Sequence, residues 1–339
     1  NGTPSGFENI CEDENGHTKP YVLHAEANAI TKVAKSANNC DGSTLYITAA
    51  PCIECSKLII QAGIKRVVVG AHDPNPLVSG KGIQILRGRG LEVTEGVLEN
   101  ECIRLNEVFF HYIQTKRPFV VMKYAMTLDG KIAAYTGTSK WVTGEQARNH
   151  VQEQRHRYTG IMVGVGTVLA DDPLLTCRKA GCKNPIRIIC DTDLRTPLTA
   201  QVVTTAKQAP TILVTCSVDR EKWTGYEEAG CRILPAERKN GRIDLERLME
   251  RLGQEGIDSI LLEGGGTLNW AALESGIVQK VQAYIAPKLF GGQTAKTPVE
   301  GAGVPSPGCA FQLKNMVITQ LGEDILLESE VVSHVHRDC

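Results

Sequence analysis

The sequence predicts two α/β domains joined near residue 116, and three observations predict it. A chain of 339 residues is long enough for two cores of ordinary size. Short β-branched apolar runs alternate along the chain with segments of three- and four-residue apolar spacing, which is the pattern of strands alternating with helices. The chemistry is also split, because a histidine and a paired-cysteine motif lie before residue 60 and glycine-rich strand ends lie after residue 160.

In the first half, residues 24–35 carry Ala27, Ala29, Ile30, Val33 and Ala34 at helical spacing, so His24 and Glu26 sit at a helix start. Residues 43–49 are β-branched and aromatic enough for a strand, and Pro51-Cys52 then opens a second helix through Cys55, Leu58, Ile59 and Ala62. Both thiolates thus lie at a helix N-terminus, where the macrodipole favours negative charge. Residues 65–70 form a buried-strand run, followed by a turn-rich loop from Ala71 to Pro76 that could form a lip over a pocket or be an ordinary turn. A helix over 82–87, a strand over 91–94 and one helix over 100–114 complete the half, and Lys116-Arg117-Pro118 marks the boundary.

His24, Cys52 and Cys55 offer one imidazole and two thiolates, a donor set for tetrahedral Zn²⁺ with the fourth position left for water. Glu26 is placed to shuttle a proton between that water and a leaving amine. The order His-x-Glu followed by Pro-Cys-x-x-Cys is the signature of zinc nucleobase deaminases. A structural zinc knot or a redox Cys-x-x-Cys pair is the plainer alternative, but neither explains Glu26 or the Pro-Cys start.

Lys+Arg 37 against Asp+Glu 38 leaves a formal net charge of -1, so no broad electrostatic footprint for nucleic acid or anionic lipid exists. The apolar runs are short and interrupted, with neither a spanning segment nor a signal peptide, and a cytoplasmic protein is expected. Most of the 12 cysteines read as reduced and inert. Cys11 and His17 could hold a second metal or simply be solvated. Residue 1 is not Met and the text opens in what reads as a loop, so a missing N-terminal piece is expected.

In the second half, strands are expected over 119–123, 161–166, 186–190, 211–215, 259–262 and 280–285, with helices between several of them. No strict Gly-x-Gly-x-x-Gly is present. Instead, Glu263-Gly264-Gly265-Gly266-Thr267 separates an apolar strand from a helix expected near Asn269, and backbone amides there can cradle a pyrophosphate or merely connect. Gly164-Val165-Gly166-Thr167 supplies a second close-approach loop, next to Asp171-Asp172-Pro173, and two such loops suggest a nucleotide cofactor. Residues 331–339 read as a disordered tail.

From about residue 68 to 330 the chain resembles the bifunctional riboflavin biosynthesis family RibD, above all its reductase domain. The resemblance rests on Asp73-Pro74-Asn75-Pro76, Leu128-Asp129-Gly130-Lys131, Ser139-Lys140-Trp141-Val142-Thr143, residues 164–173, Leu175-Thr176-Cys177-Arg178, Pro185–Asp191, Glu263-Gly264-Gly265 and Ala286-Pro287-Lys288-Leu289. It implies a dihydrofolate-reductase-like α/β fold that binds NADPH and reduces the ribosyl group of a phosphorylated aminopyrimidine to ribityl. Carried onto matching positions, it implies that Ser139, Arg155, Leu175, Arg178 and Glu263 contact substrate, the arginines gripping its phosphate. It further implies that Ala125, Trp141, Thr167, Asp171, Gly265, Gly266, Thr267, Leu268, Asn269, Trp270 and Ala271 line the cofactor site. Lys123 is the candidate for polarising the sugar carbonyl or Schiff base, or else a surface charge. Ser217 and Arg220 are where a contact to the cofactor's 2′-phosphate is sought.

The spacing Cys52-Ile53-Glu54-Cys55 is shorter than that family's usual insertion, and residues 1 to about 67 are more similar to deoxycytidylate deaminase, whose cytidine-deaminase-like α/β/α fold is expected here in truncated form. The chain therefore reads as a junction of two deaminase relatives at Ile60–Arg66. The leading expectation is a Zn²⁺- and NADPH-dependent enzyme that deaminates a diaminopyrimidine nucleotide and then reduces its sugar. A deoxycytidylate deaminase fused to a reductase is the second, and a non-catalytic zinc-stabilised module, with or without a working reductase, is the third. The expected partners are a small pyrimidine nucleotide and further copies of the chain in a homo-oligomer, with no nucleic acid and no membrane.

Overall fold

The computed structural model describes residues 2–3, 19–75 and 80–332, and the chain divides into two compact units, Asn1–Lys116 and Arg117–Cys339. Cys11, His17 and Pro76 lie outside the described residues.

The first unit runs α1 (Ala25–Val33), β1 (Thr44–Ala49), α2 (Ile53–Gln61), β2 (Arg66–Ala71), α3 (Lys81–Gly88), β3 (Glu92–Thr94), α4 (Glu99–Leu105) and α5 (Glu107–Thr115). Its strands form a parallel sheet in the order β1-β2-β3. Val67 and Val69 face Ile59 of α2 and Ile83 and Leu86 of α3, all buried in one cluster. Gly70, one residue out of phase, lies against Cys102 of α4 on the opposite face, where a Cβ would strike the cysteine sulfur. Helices therefore cover both faces. The single helix expected over 100–114 is two, broken at Asn106, whose Nδ2 donates to the Cys102 carbonyl at 2.8 Å. That local bond competes with the helical ladder.

The second unit comprises β4 (Phe119–Thr127), α6 (Glu145–Arg157), β5 (Gly160–Gly164), α7 (Val165–Asp171), β6 (Ile186–Cys190), α8 (Gln201–Thr204), β7 (Thr211–Thr215), α9 (Arg220–Glu228) and β8 (Arg232–Pro235). It continues with β9 (Arg238–Lys239), β10 (Arg242–Ile243), α10 (Leu245–Gln254), β11 (Ser259–Leu262), α11 (Gly266–Glu274), β12 (Val278–Ala286), β13 (Leu313–Leu321) and β14 (Asp324–Val331). Among the described residues the main sheet has the order β13-β14-β12-β4-β11-β5-β6-β7-β8. It is parallel from β12 to β8 and antiparallel at β14 and β13. Alternate residues feed two cores: Met162, Ile188 and Val214 pack with α10 and α11, whereas Ile161, Val163, Ile189 and Leu213 pack with α7, α8 and α9. Burial on both faces explains why these strands read as unbroken apolar runs.

Several expectations are corrected here. The strand expected over 161–166 ends at Gly164, and Val165 already belongs to α7. The helix expected near Asn269 starts at Gly266. β8, β9, β10, β13 and β14 were not expected; β13 is exposed along nearly its whole length, so no buried apolar run marks it. Val331 lies in β14 rather than in a tail, and residues 333–339 are outside the described part. Among the described residues nine cysteines are free thiols, in line with the reading that most are reduced, and Cys309 is the exception, being disulfide-bonded. No helix among the described residues is long and apolar enough to cross a membrane.

Candidate active sites

In the first unit His24 is the N-cap of α1 and Cys52 the N-cap of α2. The Pro51 carbonyl is packed against Gly82 of α3, where a Cβ would collide with it, so α3 supports the turn that carries Cys52. The Cys55 amide donates to Cys52 Sγ at 3.4 Å, as expected for sulfur at a helix N-terminus. His24 Nδ1 lies 3.5 Å from Cys52 Sγ and 3.4 Å from Cys55 Sγ. The three donor atoms lie within 4.8 Å of one another. A tetrahedral Zn²⁺ with ordinary bond lengths separates a nitrogen and a sulfur ligand by about 3.6 Å, so the triangle fits that ion.

Cys55 is buried, and burial, then the nearby Glu26 carboxylate and Cys52, push its thiol well above the ordinary range; Glu26 also hydrogen-bonds it directly. A site that raises a thiol in this way needs a cation to hold it as thiolate. The contact also puts Glu26 against the ligand set without making it a ligand.

In the second unit a cavity of about 990 Å³ opens where β5, β6 and β11 end. Ligands bind at the carboxyl ends of parallel strands because the chain diverges into loops there. On the cavity wall, Glu263 follows directly on β11 and takes a bidentate pair from Arg155 of α6, Nε to Oε1 at 2.8 Å and Nη2 to Oε2 at 2.9 Å. Lys123 Nζ stands 3.5 Å from Glu263 Oε2 and 5.6 Å from the centre of the Tyr284 ring. Burial alone would raise the Glu263 pKa, but Arg155 and Lys123 overcome it and hold the carboxyl at about 2. The same pairing holds Arg155 above its ordinary value against its own burial. Lys123 is therefore no surface charge; its side chain is 13% exposed.

The cavity brings together Ser139, Arg155, Arg178, Glu263, Lys123, Ala125, Trp141, Thr167, Asp171, Gly265, Gly266, Thr267, Leu268 and Ala271. It does not include Leu175, Asn269 or Trp270. Leu175 packs its side chain into the core with Val163 and Val168. Asn269 is fully buried, its Nδ2 donating to the Pro298 carbonyl at 2.8 Å, and Trp270 stacks edge-on against Phe311. Residues 267, 268 and 271 share one face of α11, and helical geometry turns 269 and 270 away from it. Arg155 is also corrected: its Nε and Nη2 are committed to Glu263 and its Nη1 donates to the Thr176 carbonyl at 3.1 Å, rather than being free for a phosphate. Ser217 and Arg220 do not line the cavity, and the Arg220 guanidinium lies 4.1 Å over the Trp223 ring instead.

The cavity fits a dinucleotide. α11 and α7 begin there at Gly265 and Gly164, each without a side-chain cap. A Cβ on Gly166 would meet nothing within 4 Å and one on Gly265 only Thr167 Oγ1 at 3.8 Å, so side chains at these positions would fill cavity rather than strike protein. Free amides at helix starts suit phosphate oxygens. Gly266 differs, because a Cβ there would lie 2.5 Å from Glu300 Cγ and 2.7 Å from the Thr297 carbonyl; packing demands that glycine.

Several participants were not anticipated. Arg148 lies 5.0 Å from the Trp141 ring centre, and Thr192, Arg195 and Arg242 line the cavity beside the end of β6. Tyr284 is fully buried, and its hydroxyl lies 2.8 Å from His150 Nδ1. Lys280, Gln282 and Tyr284, polar at alternate positions of β12, were the available signal.

Residues 118–327 match the family described as RibD C-terminal domain, and residues 7–71 match the cytidine and deoxycytidylate deaminase zinc-binding region. The riboflavin biosynthesis protein RibD of Actinobacillus pleuropneumoniae is 51% identical, over 94% of this chain and 86% of that one. The solved structure of Acinetobacter baumannii RibD superposes with a TM-score of 0.77 at 32% identity, covering 93% of this chain and 87% of that one. A diaminohydroxyphosphoribosylaminopyrimidine deaminase/5-amino-6-(5-phosphoribosylamino)uracil reductase from Thermotoga maritima gives 0.76 at 34% identity, covering 92% and 86%. These matches span both units, including the metal triangle, and so extend the likeness beyond the reductase half. The chain belongs to the RibD family of bifunctional riboflavin biosynthesis proteins.

Proposed function

We propose that residues 1–116 catalyse zinc-dependent hydrolytic deamination of 2,5-diamino-6-ribosylamino-4(3H)-pyrimidinone 5′-phosphate, and that residues 117–332 reduce the product's ribosyl group to ribityl with NADPH. The observation that carries this reading is the presence in one chain of a His-Cys-Cys triangle touching Glu26 and a dinucleotide-sized cavity walled by Lys123, Glu263 and Arg155.

His24, Cys52 and Cys55 would hold the zinc, which would supply the Lewis acidity that brings a water molecule's pKa toward neutrality. Glu26 takes the proton from the attacking water and delivers it to the departing ammonia, since its carboxylate lies against the ligand set. In the second unit NADPH supplies the hydride. Lys123 donates from Nζ to the sugar oxygen as the sugar is reduced, and Glu263 keeps that ammonium in place. Arg155 fixes Glu263 in turn, so it acts through the carboxylate. Arg178 has no carboxylate partner among the described residues and is the free fork for the substrate phosphate. Arg195 and Arg242, rather than Arg220, are placed to read the cofactor's 2′-phosphate. A cytoplasmic homo-oligomer completes the reading, supported by Met316, Val317 and Ile318 standing exposed on the edge strand β13.

The test is ammonia release by the zinc-loaded protein without NADPH, on the diaminopyrimidinone ribosylamino phosphate and on deoxycytidylate side by side. Release from the first, followed by NADPH oxidation at 340 nm, is expected. Release from deoxycytidylate alone would move the first unit to pyrimidine salvage, and silence on both would leave only a reductase.

A further inference from the structure

Cys177 and Cys182 are free thiols, each half-buried, and burial, then the neighbouring Cys177, push the Cys182 thiol above its ordinary value. They bracket a turn in which the Cys182 amide donates to the Lys179 carbonyl at 3.2 Å and Gly181 takes the left-handed conformation. The turn is strapped to α6: Cys177 Sγ donates to the Gln152 carbonyl at 3.3 Å, the Arg178 amide to Gln152 Oε1 at 2.9 Å, and the Lys183 amide to His156 Nδ1 at 3.0 Å. Just before it, the Thr176 carbonyl accepts Arg155 Nη1 at 3.1 Å, and between the two cysteines Arg178 lines the reductase cavity.

We propose that Cys177 and Cys182 form a dithiol modification site which a small-molecule disulfide converts to an intramolecular disulfide, and that closing it weakens the grip of Arg178 on the substrate phosphate. The Cys177 amide donates to Asn184 Oδ1 at 3.0 Å and closes the turn on itself, outside any helix or strand, so the two sulfurs can reach disulfide geometry by local backbone adjustment. One cysteine thiolate attacks a sulfur of the small disulfide, giving a mixed disulfide and a small thiolate, which takes up the proton the cysteine lost. The second cysteine displaces the remaining half, which leaves as a second small thiol. The protein pair loses two electrons and two protons, and the small disulfide gains them. Once closed, Cys177 has no S–H left to donate to the Gln152 carbonyl, so one strap holding the Arg178 turn on α6 is lost. A reversible pair of this kind is the form disulfides take in reducing compartments.

The second half of this inference rests on the reading of Arg178 as a phosphate ligand. The test incubates the full, zinc-loaded chain with oxidised glutathione and maps its peptides without reduction. A Cys177–Cys182 link is expected, with KM for the deaminated ribosylamino phosphate raised roughly threefold to tenfold, kcat at saturating NADPH unchanged, and full reversal by dithiothreitol. Cys182→Ser should keep the reduced enzyme's kinetics and lose the response. A stable glutathione adduct in place of the link, or a link with KM unchanged, overturns the inference. Arg178→Ala separates the two ideas: if it leaves KM unchanged the phosphate reading fails, whereas if it raises KM while oxidation does not, the dithiol site alone fails.

Discussion

Replacing Glu263 by Gln tests the charge cluster of the reductase cavity most directly. Arg155 and Lys123 hold the Glu263 carboxyl at about 2, against an ordinary 4.5. That difference, at about 1.4 kcal/mol per pH unit, corresponds to roughly 3–4 kcal/mol of folding stability. Because the folded pKa is depressed, this contribution is fully present above pH ~4.5 and is lost as pH falls toward 2. In Glu263→Gln the Arg155 and Lys123 side chains, 14% and 13% exposed, face no anion at this position. Breaking a buried pair from one side costs about 3–5 kcal/mol. For a unit of about two hundred residues that lowers Tm by roughly 6–20 °C. All three tryptophans, Trp141, Trp223 and Trp270, lie in the second unit, so a melt followed by tryptophan fluorescence reports on it alone. The gap between parent and variant should be constant from pH 7 to 5 and narrow by about 1.4 kcal/mol per unit below pH ~4.5. A variant that melts within about 1 °C of the parent at pH 7, or a gap that does not narrow in acid, refutes the reasoning.

Glu26→Gln should retain zinc, measured by atomic absorption, and lower deamination by roughly 10²–10⁴, while NADPH oxidation on the pre-deaminated substrate stays unchanged. Stripping zinc with a chelator should abolish deamination, leave that NADPH oxidation intact, and be reversed by added Zn²⁺. Gly166→Ala places its Cβ in open cavity, so KM for NADPH should rise with Tm not lowered. Gly266→Ala meets Glu300 and the Thr297 carbonyl, and should instead destabilise the second unit by about 1–3 kcal/mol in a urea melt.

The metal site was legible because its ligands are local: His24 caps one helix, and Cys52 and Cys55 open another, so spacing alone orders them. The parallel core strands were legible for a similar reason, since burial on both faces writes an unbroken apolar run. β13 was not, because its residues are exposed, and neither was the break at Asn106, which depends on one side chain bonding the Cys102 carbonyl.

The sequence by itself determined the α/β class, the grouping of His24, Cys52 and Cys55 with Glu26 beside them, and most of the residues named for the reductase cavity, but not Arg148, Thr192, Arg195 and Arg242. Tertiary structure alone decided which of that set face one another. Arg155 and Glu263 are joined by a bidentate pair across 108 positions of chain, and Tyr284 closes on His150 across 134. Helical rotation, not adjacency in the chain, keeps Thr267, Leu268 and Ala271 on the cavity and sends Asn269 and Trp270 away. Periodicity along a chain reports which face of an element is buried; which partner it is buried against is set only when the sheet assembles.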